Sequence, residues 1–219
     1  MRCVIALRNH TSSSTVFLSI GFPKRKEEFA FFVIKDPGWC CIREYMRSRP
    51  LTFDPVCLAR FKSALPRLKV TSTADVIQSQ AAIAEARAAD PTCLIPLSFL
   101  NIAFSQRGLH KIDVNDDIGD IGFSEGQFHQ AEKLGDNGDK TSEGSDPHWE
   151  PAFKDVIHGV LPVAGDSWKS VNATVAAALH ILGASVKVVY NLKGSVRPGE
   201  KKVSELWIFC KATDNLPSV

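Results

Sequence analysis

The stretch VIHGVLPVAGDSWKSVNATVAAALHILGASVKVVYNL, residues 156 to 192, decides the fold of this chain. Its first part, Val156–Val163, is rich in β-branched residues and predicts a strand, and its last part, Ser185–Leu192, predicts another. The residues between them predict a helix from Trp168 to Leu182. A helical period places these apolar side chains on one face: Trp168, Val171, Val175, Ala178 and Leu182. We therefore expect this helix to pack on a sheet.

Two further strands and one further helix are predicted upstream. Glu28–Lys35 is rich in Phe and Val and indicates a strand. A helix is predicted from Thr73 to Ala88, and Leu97–Phe104 indicates a strand buried on both faces. The order is then strand, helix, strand, strand, helix, strand. This order predicts an α+β, ferredoxin-like fold, an antiparallel sheet with helices on one face.

Cap signals mark the ends of both long helices. Ser72 or Thr73 can cap the first, because a side-chain oxygen there accepts from a free backbone N–H of the first turn. Asp166 or Ser167 can cap the second in the same way. Gly183 can close the second helix, since glycine tolerates the backbone conformation that ends a helix.

Between the second and third strands we predict one short helix and one loop. The helix is expected at Glu125–Lys133, because Ser124 and Gln127 have the spacing of a capping box. The segment Gly135–His148 is acidic and contains an Asn-Gly turn signal, so we expect a surface loop.

Composition narrows the possible partners. The chain has 219 residues, 44% of them apolar, with 26 basic and 24 acidic residues and a net charge of +2. Because these charges are interspersed, they indicate neither a nucleic acid nor a membrane as partner. No apolar run approaches the ~18 residues of a membrane span. The first twenty residues lack the apolar core of a signal peptide, so a soluble chain without a clear export signal is expected, its location unknown.

Five sequence blocks identify a family. In chain order they are GFPKRKEEFAFFVIKD (21–36), PLSFLNIAFSQRGLHKI (96–112), DIGDIGFSEGQFHQAEKLGD (117–136), VIHGVLPVAGDSW (156–168) and NLKGSVRPGE (191–200). On these blocks, the chain from about Gly21 to Lys202 resembles the amino-terminal half of fungal dye-decolorising (DyP-type) heme peroxidases. The resemblance implies one of the two ferredoxin-like halves of that fold.

The same resemblance implies which chemistry to expect and which residues are missing. The full-length family binds heme iron and uses hydrogen peroxide to oxidise phenols and dyes. Its sequence continues from Arg-Pro-Gly into a Gly-His-Glu-His-Phe-Gly stretch and a G-x-x-D-G loop, and its heme ligand and distal Asp and Arg follow that point. Here VSELWIFCKATDNLPSV (203–219) takes that place. We therefore predict no catalytic, cofactor-binding or metal-binding residue in this chain, no specific heme binding, and no activity alone.

Three segments do not resemble the family: 1–19, 37–58 and 203–219. We interpret 37–58 as an insert in the family domain 20–202, either translated intervening sequence or a loop particular to this lineage. Cys93 lies inside the resembling blocks and the other five cysteines lie outside them: Cys3, Cys40, Cys41, Cys57 and Cys210. Since no C-x-x-C pair or disulfide framework is visible, unpaired thiols are expected.

Individual polar residues favour structural over chemical roles. His180 is expected to point to solvent, because it lies about 180° from Val171 on its helix. His158 is expected to satisfy a hydrogen bond of the sheet. The acidic run from Asp113 fails as a calcium loop, since Ile118 replaces the required glycine and Ser124 the bidentate glutamate.

Two alternatives to the peroxidase stay open. The chain could be a non-catalytic ferredoxin-like module that binds a partner, or itself, through the sheet face left uncovered. It could also be the product of an incorrect gene model, without a cellular function.

Overall fold

A computed structural model describes residues 25–35, 56–93, 95–116, 118–142, 144–196 and 205–210 of the chain. The strands are β1 Lys26–Ile34, β2 Ser98–Leu100, β3 Ala103–Phe104, β4 Gly138–Thr141, β5 Gly144–Pro147, β6 Gly159–Gly165, β7 Val186–Val196 and β8 Glu205–Cys210. The helices are α1 Val56–Ala64, α2 Thr73–Ala89, α3 Gln106–Lys111, α4 Ile121–Glu125, α5 Ala131–Leu134 and α6 Trp168–Leu182. Short 3-10 turns occupy Leu65–Arg67, Pro151–Phe153 and Gly183–Ser185.

Six of the strands form one antiparallel sheet in the order β2-β6-β1-β7-β8, with β3 also paired to β6. The central strand is β1, in which Phe29 lies opposite Pro162 of β6 and Leu192 of β7. The register against β7 shifts between Phe31 and Phe32, which marks a β-bulge. Strands β4 and β5 form a separate hairpin. The predicted ferredoxin-like α+β fold is confirmed.

The core lies between the sheet and the helices. Alternate residues of β1, Ala30, Phe32 and Ile34, are buried in one cluster with residues of the helices. The ring of Phe32 meets that of Phe104 edge to face, with centroids 6.3 Å apart. From α6 the buried side chains are Val171, Val175, Ala178 and Leu182, the face that the helical period predicts. Burial of these apolar side chains is the main contribution to stability.

Both long helices begin where their cap signals predict. Ser72 Oγ accepts from Asp75 N, and the Asp75 carboxylate accepts from Ser72 N at 2.8 Å, so a capping box starts α2. Ser167 Oγ accepts from Ser170 N at the start of α6, and Gly183, with φ +55°, follows its last residue.

The prediction for residues 97 to 148 was wrong in three places. The strand Leu97–Phe104 is split into β2 and β3. The short helix begins at Ile121 instead of Glu125, because Asp120 rather than Ser124 is its cap and accepts from Phe123 N at 3.0 Å. Gly126, with φ +82°, ends it at once. The expected loop Gly135–His148 contains the hairpin β4–β5.

Two segments that were expected to lie outside the family resemblance, 203–219 and the end of 37–58, contribute to the sheet domain. Strand β8, within 203–219, pairs with β7 from Asn191 to Val196. Helix α1 begins at Val56, so the last three residues of the expected insert 37–58 are helical, and Cys57 is 1% exposed in the core. Residues 36–55 and the segment 1–19 lie outside the described residues.

Candidate functional site

The face of the sheet opposite the helices, here called the outer face, is apolar. It is formed by Phe29, Phe31 and Val33 of β1, Val160 and Pro162 of β6, and Tyr190 and Leu192 of β7. Most of these side chains are only half buried. The 3-10 turn Pro151–Phe153 covers one part of this face, since the Phe153 ring lies edge to face with the Phe31 ring at 5.0 Å between centroids. An apolar face of this kind favours packing against another surface.

A charged cluster lies on the helix side of the sheet. Glu28 is buried, and its Oε2 lies 3.3 Å from Lys193 Nζ on the neighbouring strand. The same Lys193 Nζ lies 5.3 Å from the centroid of the Trp168 ring, and Lys26 Nζ lies 5.5 Å from it. These contacts connect β1 and β7 to the first turn of α6. They bring no second acid or nucleophile to Glu28, so we assign the cluster a structural role.

The histidines within the described ranges are dispersed. The His158 Nδ1 accepts from Ile34 N at 2.9 Å, which confirms the expected hydrogen bond to the sheet. His180 is exposed, as its place on α6 predicts. His110 Nε2 lies 2.7 Å from Gln106 Nε2, and His148 Nε2 lies 3.1 Å from Asp139 Oδ2 in the exposed hairpin.

Asp166 is the one carboxylate near α6 whose titration is clearly shifted. Partial burial opposes its charged form, but hydrogen bonds from Ser170, Leu97 N and Ser167 outweigh burial and lower the pKa of Asp166 below its ordinary value. The Leu97 N–H donates to Asp166 Oδ1 at 3.0 Å. The carboxylate therefore joins β2 to the start of α6.

The acidic run does not converge on a cation. Asp113, at φ +64°, forms an ion pair with Lys62 of α1, and Asp120 caps α4. Within the part of the chain that the structure describes, no group of three His, Cys, Asp or Glu side chains could hold a metal ion. Nor, over the same residues, is any helix long and apolar enough to cross a membrane. The small pocket lined by Arg25, Arg87, Cys93 and Asp166 does not fit a heme, because its volume is only about 30 Å³.

The structure adds two features that sequence reasoning missed. Cys57 is disulfide-bonded, so the expectation of unpaired thiols was wrong for this residue. The disulfide was missed because cysteine spacing in the sequence does not show which thiols the fold brings together. The pair Glu28 and Lys193 was also missed, because it depends on the register of β1 against β7. Cys93 is a free thiol, as expected.

Comparison with known proteins identifies the family of this domain. The DyP dimeric alpha+beta barrel domain matches residues 54–198. A dye-decolorizing peroxidase from Mycena epipterygia is 32% identical over 187 residues, covering 85% of this chain and 28% of the relative. Dye-decolorizing peroxidase AauDyP1 from Auricularia auricula-judae is 30% identical over 191 residues, covering 87% of this chain and 30% of the relative. The chain thus spans less than a third of the length of these curated relatives.

Solved structures of dye-decolorizing peroxidases also match this chain. A variant of the dye-decolorizing peroxidase from Pleurotus ostreatus matches with a TM-score of 0.65 at 32% identity, covering 84% of this chain and 35% of the other. A dye-decolorizing peroxidase in complex with 2,6-dimethoxyphenol matches with a TM-score of 0.56 at 28% identity, covering 84% and 33%. By domain match, sequence and structure, this chain belongs to the fungal DyP-type peroxidase family.

Proposed function

We propose that this chain forms the amino-terminal α+β half of a DyP-type heme peroxidase and that it has no peroxidase activity alone. The observation that carries the proposal is coverage: the chain matches 28 to 31% of the length of its curated relatives, all named as peroxidases. The whole protein would use hydrogen peroxide to oxidise phenols and dyes. The relative solved with 2,6-dimethoxyphenol supports a phenolic donor.

The proposal assigns this half a structural role in the whole enzyme. Its outer face would pack against a second α+β half, in agreement with the dimeric barrel in the description of the matching domain. Phe29, Phe31 and Val33 are half buried on that face, so covering them would remove apolar surface from water. Heme binding would belong to the second half, because the family resemblance places the heme ligand and the distal Asp and Arg after the point where this chain departs from the family.

Hemin titration of the purified chain tests the proposal. We expect weak uptake without fixed stoichiometry, no sharp Soret band, and peroxide-dependent dye bleaching no greater than that of free hemin. The Mycena epipterygia relative, loaded in the same way, is the positive control. A one-to-one complex with a sharp Soret band and bleaching above free hemin would contradict the proposal.

The outer face also favours the second candidate, a non-catalytic module that associates with itself. Sedimentation velocity of the isolated chain at micromolar concentration tests the self-association that this candidate requires. We expect oligomers that dissociate on dilution, because an uncovered apolar sheet face drives association. A single monomeric species at all concentrations would exclude this candidate.

Spliced transcripts test whether the chain is the product of an incorrect gene model. RNA that lacks the codons for 37–58 and continues beyond Lys202 into a G-x-x-D-G loop would show that the full enzyme is the natural product. RNA that encodes the 219 residues in this form would support a protein separate from the full enzyme.

A further inference from the structure

The sequence contains two Asn-X-Thr triplets, the acceptor pattern for N-linked oligosaccharides. The first begins at Asn9, outside the described residues. The second, Asn172-Ala173-Thr174, lies in the first half of α6, and the proposed function does not use it. A triplet alone is a weak signal, because many proteins contain one by chance. Exposure in the fold and the compartment of the protein decide whether it is used.

Asn172 lies on the side of α6 that points away from the sheet. Val171 and Val175 of the same helix are buried, whereas Asn172 is exposed. Its side chain has one polar contact among the residues that the structure describes, in which Lys193 Nζ donates to Oδ1 across 3.4 Å. The amide nitrogen Nδ2, to which a glycan would be attached, donates to none of these residues. A sugar on Nδ2 would therefore break no hydrogen bond of the described fold.

The surface beside Asn172 has room for a bulky group. Further along the exposed side of α6 lie Ala173, Ala176 and Ala177, whose side chains end at a methyl group. Thr174, the third residue of the triplet, is turned toward the sheet, since its Oγ1 lies 2.7 Å from Ser98 Oγ of β2. A glycan at Asn172 would extend into solvent on the helix side and leave the outer face open.

An independent observation, the disulfide at Cys57, indicates the compartment. Cys57 is disulfide-bonded and 1% exposed in the core. Disulfides form and persist in oxidising compartments such as the lumen of the endoplasmic reticulum, and they are rare where glutathione keeps thiols reduced. In eukaryotes, among them the fungi of the relatives described above, the same lumen is where N-linked oligosaccharides are attached. We propose that Asn172 carries an N-linked oligosaccharide.

The helical position of the triplet does not prevent the modification. Helix α6 has 15 residues, and an isolated helix of this length is only marginally stable in water. Strand β7, which lies beside α6 in the fold, follows it in the chain, so the segment emerges before its packing is complete. Asn172 can therefore react in an extended segment and take its exposed place on α6 afterwards.

The transfer balances with one further reactant, an oligosaccharide linked to a lipid through pyrophosphate. Asn172 Nδ2 attacks the anomeric carbon of the first sugar, and a new bond forms between these two atoms. The bond from that carbon to the pyrophosphate oxygen breaks, and its electron pair leaves with the pyrophosphate. Nδ2 releases one proton, and no group is oxidised or reduced.

Cell-free translation with microsomes of the endoplasmic reticulum tests the proposal on the full chain. The chain is fused behind a cleavable secretion leader, because its first twenty residues lack the apolar core of one. Asn9→Gln in every chain leaves Asn172 as the only acceptor triplet. We expect most protease-protected chains to gain one oligosaccharide, seen as a slower gel band that endoglycosidase removes. Trypsin releases residues 170–187, in which Asn172 is the only asparagine, so mass spectrometry identifies the modified residue.

Variants of the triplet separate the modification from effects on the fold. Asn172→Gln and Thr174→Ala remove the acceptor pattern and should lose the slower band. The matched control is Ser98→Ala, which removes the same contact between Ser98 and Thr174 but keeps the triplet, and it should keep the band. Thr174→Ser also preserves the pattern and should keep the band. Protected parent chains without the band, or a band that persists in Thr174→Ala, would each overturn the proposal.

Discussion

At the scale of single residues, α3 and the residue before β6 approach each other closely at Gly108. A Cβ atom at this position would lie 1.8 Å from the carbonyl oxygen of His158. That carbonyl also accepts from Ser105 N at 3.1 Å, so it is fixed in place by the residue that caps α3. Only glycine allows α3 to lie this close to the start of β6.

Gly108→Ala should therefore destabilise the domain strongly. We expect a loss of at least about 2 kcal/mol in the free energy of unfolding, because backbone atoms rather than a flexible side chain would have to move. Gly122→Ala is the matched control, since its Cβ would meet only the Asp120 side chain, at 3.3 Å. Urea denaturation of both variants measures the difference. A Gly108→Ala variant as stable as Gly122→Ala would show that α3 is not held at this distance.

Asp166 predicts a specific dependence of stability on pH. Its pKa is lower in the folded chain than in the unfolded one, so the carboxylate stabilises the fold above the unfolded value. This contribution is lost as the pH falls below about 4 through the folded pKa. Asp166→Asn should be less stable than the parent at pH 7, and the gap should narrow toward pH 2. Urea denaturation across this range measures it, with the exposed Asp155→Asn as control. A gap that is constant with pH would contradict the assignment.

At the scale of elements, local sequence signals correctly predicted the helix starts that a single capping interaction determines. Ser72 and Ser167 mark the starts of α2 and α6, and each is one of the two adjacent cap candidates that the sequence offers there. Ser124 failed because Asp120, four residues earlier, caps first. The charged pair of Glu28 and Lys193 depends on strand register, which local patterns do not specify. The sequence therefore predicted the elements better than the residues they bring together.

Strand β8 gives a prediction at this scale. Strand β8 lies outside residues 54–198, which match the family domain. It pairs with β7 from Asn191 to Val196. Removing residues 205–219 should leave about every second amide of that part of β7 without a partner. Hydrogen exchange should then speed up at these amides and stay unchanged in β6, where pairing with β1 is intact. Unchanged exchange in β7 would mean that β8 does not pair with it in solution.

At the scale of the whole molecule, the boundary of the insert can be tested by deletion. The family domain match begins at residue 54 and α1 begins at Val56, so the connection from β1 need not include residues 38–52. Deleting 38–52 should change stability by less than about 1 kcal/mol, because the free energy of loop closure varies slowly with length. Deleting 38–58 also removes the first turn of α1 and the buried Cys57, and should destabilise by at least about 2 kcal/mol.

Both deletions are compared with the parent in the presence of a reductant, so that the disulfide at Cys57 contributes to none of the measurements. Equal stability of the two deletions would place the boundary after residue 58 instead. Unfolding of the shorter deletion would show that residues 38–52 are an integral part of the domain.

The central position of β1 has a consequence for biosynthesis. Of the strands that the structure describes, β1 leaves the ribosome first, yet its partners β6 and β7 lie far along the chain: the hydrogen bond from Ile34 to His158 spans 124 residues. At about 5 to 20 residues per second, translation of that span takes roughly 6 to 25 s. During this time a strand with three phenylalanines has neither neighbour to pair with. The nascent chain should therefore depend on chaperones that shield apolar segments until β7 has emerged.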